Sequence, residues 1–197
     1  ILSGASADWI YGGSMTYHYS AGGKHKWADA RLGETNINMT GGEVGAIVGG
    51  GKGGHGGAAD TDTEKAYLQH VNTVDVSNIS ISGGTAQEVY GGAASAGLYN
   101  AVHVGTTNIE ISGTADVKLV YGGGQNYWAE QSELSNTVDM TNVTISGGTV
   151  GTVYGGAYCS ADPSPASTSG VMTVGTAKVT ITGGSVGTVY GGGNNDG

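Results

Sequence analysis

The sequence predicts an all-β chain: a right-handed parallel β-helix, a solenoid of about five full coils with three short strands per coil and long loops on one side. Three observations predict it. One stretch recurs along the chain, the apolar residues inside each copy alternate, and glycines close each copy. The clearest copy is Asn142–Gly156, and Ala177–Gly193 nearly repeats it. Earlier copies are Asn36–Gly50, Asn78–Gly92 and Asn108–Gly124, the last with one residue added, and the chain opens inside another at Leu2–Gly13. Aligned on the residue before the second Gly-Gly, they fall at Tyr11, Val48, Tyr90, Tyr121, Tyr154 and Tyr190, with spacings of 37, 42, 31, 33 and 36 residues. The shared part is nearly gapless, so the variation lies in the segments after the glycines. That is the pattern of stacked coils with unequal loops on one side.

Within a coil the first strand is read from the pairs Ile37/Met39, Ile79/Ile81, Ile109/Ile111, Val143/Ile145 and Val179/Ile181. Apolar residues two apart mean a strand with one buried face. A glycine turn comes next, then a second strand carrying Val150 and Val153, or Val186 and Val189. A third lies upstream, at Val74 and Val76 or Val138 and Met140, with Val104 and Val174 in the same place. Strands stacked at ~4.8 Å make six coils a rod of roughly 25–30 Å. Parallel crossovers are overwhelmingly right-handed, which sets the expected hand. One coil cannot bury its Val and Ile; its neighbours do so.

Composition narrows the function classes. Glycine supplies 40 of 197 residues, without a three-residue period and with only two prolines, which excludes collagen. Seven basic against 16 acidic residues give a formal charge of −9. That balance argues against nucleic acid, whose phosphates need Lys and Arg, and against anionic lipid. Cys159 is the one cysteine, so no internal disulfide forms. No run approaches the ~18 apolar residues of a membrane span, and no secretory signal pattern is present. The repeats run from end to end, so residues 1–197 read as one domain, expected to be a piece of a longer repetitive protein.

The corners carry their own signal. Asn36, Asn78, Asn108 and Asn142 share one position, with Lys178 in the last copy. Stacked asparagines can bond to the backbone of a bend and to one another. This column resembles the asparagine ladder of the pectate-lyase-like right-handed β-helix superfamily, a resemblance of fold across the chain. In style the chain also resembles modules of large repetitive bacterial surface proteins, including binders of host immunoglobulin and mucin glycans. These resemblances imply a secreted or cell-surface adhesin-type module.

Two aromatic groups are candidate binding residues. Tyr90, Tyr121, Tyr154 and Tyr190 alternate outward with residues such as Glu88, so they are expected to form a ladder on an exposed edge. Exposed, such a ladder suits sugar rings or a partner protein; alternatively the rings stack on one another beneath the next loop. The loops supply Tyr17, Tyr19, Trp27, Tyr67, Tyr99, Tyr127, Trp128 and Tyr158. Loops held by a rigid scaffold commonly carry function, though they can also fold down as a local second core. A short helix is expected within 60–70, capped by Asp60 or Thr61.

Other chemistry is weaker. His18, His25, His55, His70 and His103 lie in or beside loops, and Asp60, Asp62 and Glu64 alternate like calcium ligands, but no metal motif is matched. No metal or cofactor is therefore expected. Asp75 and Asp139 face outward two coils apart with Gly105 between, a spacing of ~9–10 Å that is wide for an inverting carboxylate pair. Arg31 is the chain's one arginine, and only Lys118 and Lys178 are lysines within the coils, so a polysaccharide lyase or hydrolase is a secondary reading. Gly51–Gly56 fits a phosphate-loop spacing by chance of composition and lacks every surrounding element. The expected role is non-enzymatic binding of a host protein, glycoprotein or polysaccharide. A bare structural spacer is the remaining alternative.

Overall fold

Valine and isoleucine alternating with polar residues, broken only by glycine, produce strands that bend instead of ending. A computed structural model of the chain describes residues 4–16, 19–21, 24–26, 30–53, 70–95, 100–126, 136–160 and 172–196. The described elements are β1 (Ser6–Tyr11), β2 (Met15–Thr16), β3 (Tyr19–Ala21), β4 (Lys24–Lys26), β5 (Arg31–Val48), β6 (Lys52–Gly53), β7 (His70–Tyr90), β8 (Ala94–Ser95), β9 (Asn100–Ile111), β10 (Asp116–Tyr121), β11 (Gln125–Asn126), β12 (Asn136–Tyr154), β13 (Tyr158–Ser160), β14 (Met172–Tyr190) and β15 (Asn194–Asp196). The fold is all-β, with no helix among the described residues.

A seven-stranded sheet runs β1–β5–β7–β10–β12–β14, with β9 beside β10 and paired to both β7 and β12. Every pairing in it is parallel, and the register tracks the repeat: Tyr11↔Val48, Val48↔Tyr90, Tyr90↔Tyr121, Tyr121↔Tyr154 and Tyr154↔Tyr190. The pairings of β7, β9, β12 and β10 close a four-strand ring. That ring arises from the one added residue. It falls between Ile111 and Asp116, where Ala115 donates to Ser112 O in a turn, and splits into β9 and β10 what is one strand in the neighbouring copies.

Two expectations are corrected here. Three separate short strands per copy are replaced by one long strand, as in β5, β7, β12 and β14, with register shifts only at the first Gly-Gly. Pairing survives that corner because its second glycine takes a left-handed φ, +86° at Gly84 and +76° at Gly148, which other residues adopt only under strain. Ile79 and Ile81 before the corner and Ala86 and Val89 after it enter the same buried cluster, so the strand turns around its own core. The second correction is an additional strand. After the second Gly-Gly, β2, β6, β8, β11, β13 and β15 form a parallel six-stranded sheet of their own.

The second Gly-Gly serves packing. A Cβ on Gly91 would collide with the carbonyl oxygen of Gly122 and lie 2.8 Å from Thr107 Cβ. Gly122 and Gly155 repeat that contact with the next copy. Into this space the chain places hydroxyls. Thr35, Ser77, Thr107 and Thr141 are buried and donate to the carbonyls of Gly49, Gly91, Gly122 and Gly155 at 2.6–2.9 Å. Each bond ties a long strand across the core to the glycine corner of its own copy, and each hydroxyl residue fills the room left by the glycine of the copy before. In the last copy the position is Ala177.

Candidate functional site

The five segments that differ in length all leave from one sheet. Each comes after a strand of the six-stranded sheet (β2, β6, β8, β11 or β13) and returns at the start of a long strand (β5, β7, β9, β12 or β14). Because those short strands pair in register, Met15↔Lys52, Lys52↔Ala94, Ala94↔Gln125 and Gln125↔Tyr158, the exits line up along one edge. Of the loop aromatics, Tyr17, Trp27, Tyr67, Tyr99, Tyr127 and Trp128 lie outside the described residues, as do His18, His55, Asp60, Asp62, Glu64 and all of the expected 60–70 helix except His70, which begins β7. Tyr19 lies in β3, which pairs antiparallel with β4, opposite Lys26. Tyr158 opens β13 and tilts against Tyr121, ring centroids 5.6 Å apart.

The tyrosine column is continuous from Tyr90 to Tyr190. Ring centroids lie 5.1, 4.9 and 4.8 Å apart, with planes within 9° of parallel. It is not the exposed edge that alternation suggested. Tyr90 is 2% and Tyr121 4% exposed, and only Tyr190, at 49%, is open. The outward direction was read correctly, since Tyr90 Oη donates to Glu88 on the same face at 3.0 Å. The column is covered by the segment after each second Gly-Gly, with Ala94 and Tyr158 packed on it. Burial pushes the Tyr90 phenol far above its ordinary value, helped by the charge and hydrogen bond of Glu88. Burial also raises Tyr121, partly offset by a hydrogen bond with Asn194. Val48 interrupts the column, leaving Tyr11 to lie parallel to Trp9 at 5.8 Å, with Lys52 Nζ 5.7 Å above its ring.

The asparagine column forms as expected. Asn78, Asn108 and Asn142 donate to Asn36, Asn78 and Asn108 at 3.0, 2.9 and 3.0 Å, and Asn78 also reaches Glu34 at 2.7 Å. Asp75 and Asp139 face solvent, each beside a different base from the preceding copy. Arg31 Nη2 is 3.6 Å from Asp75, and His103 Nε2 is 3.6 Å from Asp139, while His103 Nδ1 meets Thr137 Oγ1 at 2.8 Å. Exposed pairs of this kind contribute little to stability. No group of three or more His, Cys, Asp or Glu converges on a metal position among the described residues.

Two features escaped the sequence reading. The hydroxyl column is one; its signal is a Thr or Ser fourteen or fifteen residues before each glycine carbonyl it bonds. The other is a depression of about 320 Å³ on the first copies, bordered by Ser6, Asp8, Glu43, Thr85 and Gln87. Gly45 also lines it, and it offers two carboxylates, an amide and two hydroxyls. No protein-family model, curated protein or solved structure matches this chain.

Proposed function

We propose that the chain is a binding module, not an enzyme, from a secreted or cell-surface bacterial protein of the adhesin type. In this reading it is a right-handed parallel β-helix of about five full coils, related in style to the pectate-lyase-like superfamily, and the scaffold holds unlike loops towards a host protein or glycoprotein. One observation carries it: the five segments of unequal length leave from adjacent, register-paired strands along a single edge. The sheets repeat, whereas this edge does not, and discrimination between partners needs what does not repeat. The aromatic content of the loops, Tyr17, Tyr19, Trp27, Tyr67, Tyr99, Tyr127 and Trp128, supplies the side chains that dominate contact energies, whereas Tyr158, in β13, packs on the tyrosine column instead.

The test is capture of immobilised immunoglobulin and of mucin glycoprotein, with and without the double change Tyr127→Ala and Trp128→Ala. Loss of at least about tenfold in affinity at an unchanged far-ultraviolet dichroism spectrum is expected, the size that one buried aromatic anchor supplies. Equal capture by both chains would remove these loops from the site. A polysaccharide ligand is the second reading, favoured by the polar depression at Asp8, Glu43 and Gln87 and by the half-exposed Trp9, which follows Asp8 in β1 and stacks on Tyr11. It predicts that Trp9→Ala, not the loop changes, weakens retention on a glycan array.

A further inference from the structure

On the outer face of the long strands, two acids each meet a base from the strand alongside. Thr73 lies beside Arg31, and Thr137 beside His103. Two residues further along, Asp75 approaches Arg31 Nη2 and Asp139 approaches His103 Nε2, each at 3.6 Å. The geometry is shared and the chemistry is not. Arginine brings a permanent cation to Asp75, whereas an imidazole brings one to Asp139 only when protonated. His103 Nδ1 lies 2.8 Å from Thr137 Oγ1, a hydroxyl oxygen able to accept its proton in a hydrogen bond. That tautomer leaves Nε2 as a bare lone pair facing Asp139 Oδ2. At 3.6 Å the two atoms are too far apart for a hydrogen bond. They are spaced as two ligands of one ion: bonds of ~2.0–2.2 Å from each to a zinc ion span that gap at an angle of about 120°, close to tetrahedral.

We infer that His103 Nε2 and Asp139 Oδ2 hold a divalent transition-metal ion of the zinc class, joining β9 to β12. Thr137 is a positioning residue: its hydroxyl fixes the tautomer and the ring orientation, the support that metal-binding imidazoles generally have. The rest of the shell has room. The register sets Asp139 between Gly105 and Gly175, so neither neighbouring strand places a side chain against the carboxylate. The Asp139 side chain is 67% and that of His103 36% exposed, so water reaches the remaining positions. No third His, Cys, Asp or Glu among the described residues joins the pair, and solvent completes the coordination. An imidazole beside one carboxylate suits zinc and its neighbours, whereas magnesium and calcium take oxygen ligands. The formal −9 of the chain draws cations in general, so a preference for zinc over magnesium is what marks a built site. Both ligands lie just inside the starts of β9 and β12, where two of the unequal segments rejoin the sheet. The site needs only this chain, so it stands or falls independently of the adhesin reading.

Nitrogen-15 NMR of the whole chain, titrated with zinc chloride at pH 7.5, decides this, because it reads each imidazole nitrogen separately. The His103 signals are those missing from His103→Gln. Zinc is expected to move His103 Nε2 and to leave Nδ1 protonated, ahead of any change at the other histidines. Asp139→Asn and Thr137→Val are each expected to weaken the response at least about tenfold, the lower end of what losing a supporting bond costs. Asp75→Asn, in the arginine pair, leaves it unchanged, and magnesium chloride in place of zinc moves nothing. All these side chains are on the outer face, so each variant keeps the native dichroism spectrum. A His103 Nε2 signal that zinc does not move, as a plain imidazolium–carboxylate pair would give, overturns the inference. So does an equal response in Asp139→Asn, a shift of all five histidines alike, or displacement of zinc by an equal concentration of magnesium. An undiminished response in Thr137→Val overturns the role given to Thr137.

Discussion

Thr141 and Asn142 are adjacent and face opposite ways. Thr141 is fully buried and donates inward to the Gly155 carbonyl at 2.6 Å; Asn142 is partly exposed and donates outward to Asn108 at 3.0 Å. Removing a buried donor leaves its acceptor desolvated, at a cost of about 1–3 kcal/mol, whereas an exposed amide is replaced by water. Thr141→Val is therefore expected to lower the urea midpoint clearly, and Asn142→Ala by less than half as much. The asparagines were legible because an amide repeated four times at one corner, where a bend needs side-chain hydrogen bonds, points to a stacked column. The hydroxyls were not, since Thr and Ser on a strand read equally well as solvent-facing. Tyr90 and Tyr121 give a pH prediction at the same scale. Burial raises both phenols in the folded chain, so on raising the pH past about 10 the unfolded chain loses its phenolic protons first. Stability is full below that pH and falls above it. A urea midpoint that is lower at pH 11 than at pH 8, with the drop reduced in Tyr90→Phe, is the expected result.

The long strands owe their form to glycines of two kinds. Gly84 and Gly148 are needed for a backbone angle as well as for lack of volume, Gly91 and Gly122 for lack of volume alone. The same residue at one place in the repeat therefore differs in tolerance along the chain. Gly91→Ala drives a methyl into the Gly122 carbonyl and Thr107, and thermal denaturation should show a loss of several kcal/mol or failure to fold. Gly191→Ala, its counterpart in the last copy, should change the melting point of the monomer by no more than the ~0.5 kcal/mol typical of surface positions. Alternation in the sequence located β5, β7 and β12 by their buried residues and β14 by the same residue pattern, and the spacing of the copies matches their register. The two-residue strands β6, β8 and β11 were illegible, because two residues cannot show a period. Missing them is what made the tyrosine column look open.

Across the whole molecule, each copy touches the copies before and after it, so protection is expected to be graded by position. Amide exchange should be slowest in β7, β9, β10 and β12, which have partners on both sides, and fastest in β1 and β14, which have one among the described residues. Uniform exchange across all of these strands would contradict that order. The repeat was readable at this scale from six aligned positions; the partner was not, because repetition encodes stacking and says nothing of what the unlike segments touch. The stacking direction also has a mechanical consequence. Hydrogen bonds between copies run along the line from β1 to β14, so a load applied between the two end strands pulls on those bonds lengthwise and opens them in succession. Such a chain yields at low force and behaves as a series of unequal extensible links. Opening β14 from β12 frees the 36 residues between Tyr154 and Tyr190, and the next links hold 33, 31 and 42. At roughly 3.3–3.6 Å per residue these are steps of about 100–150 Å, and their order along an optical-trap trace would name the end from which the chain gave way.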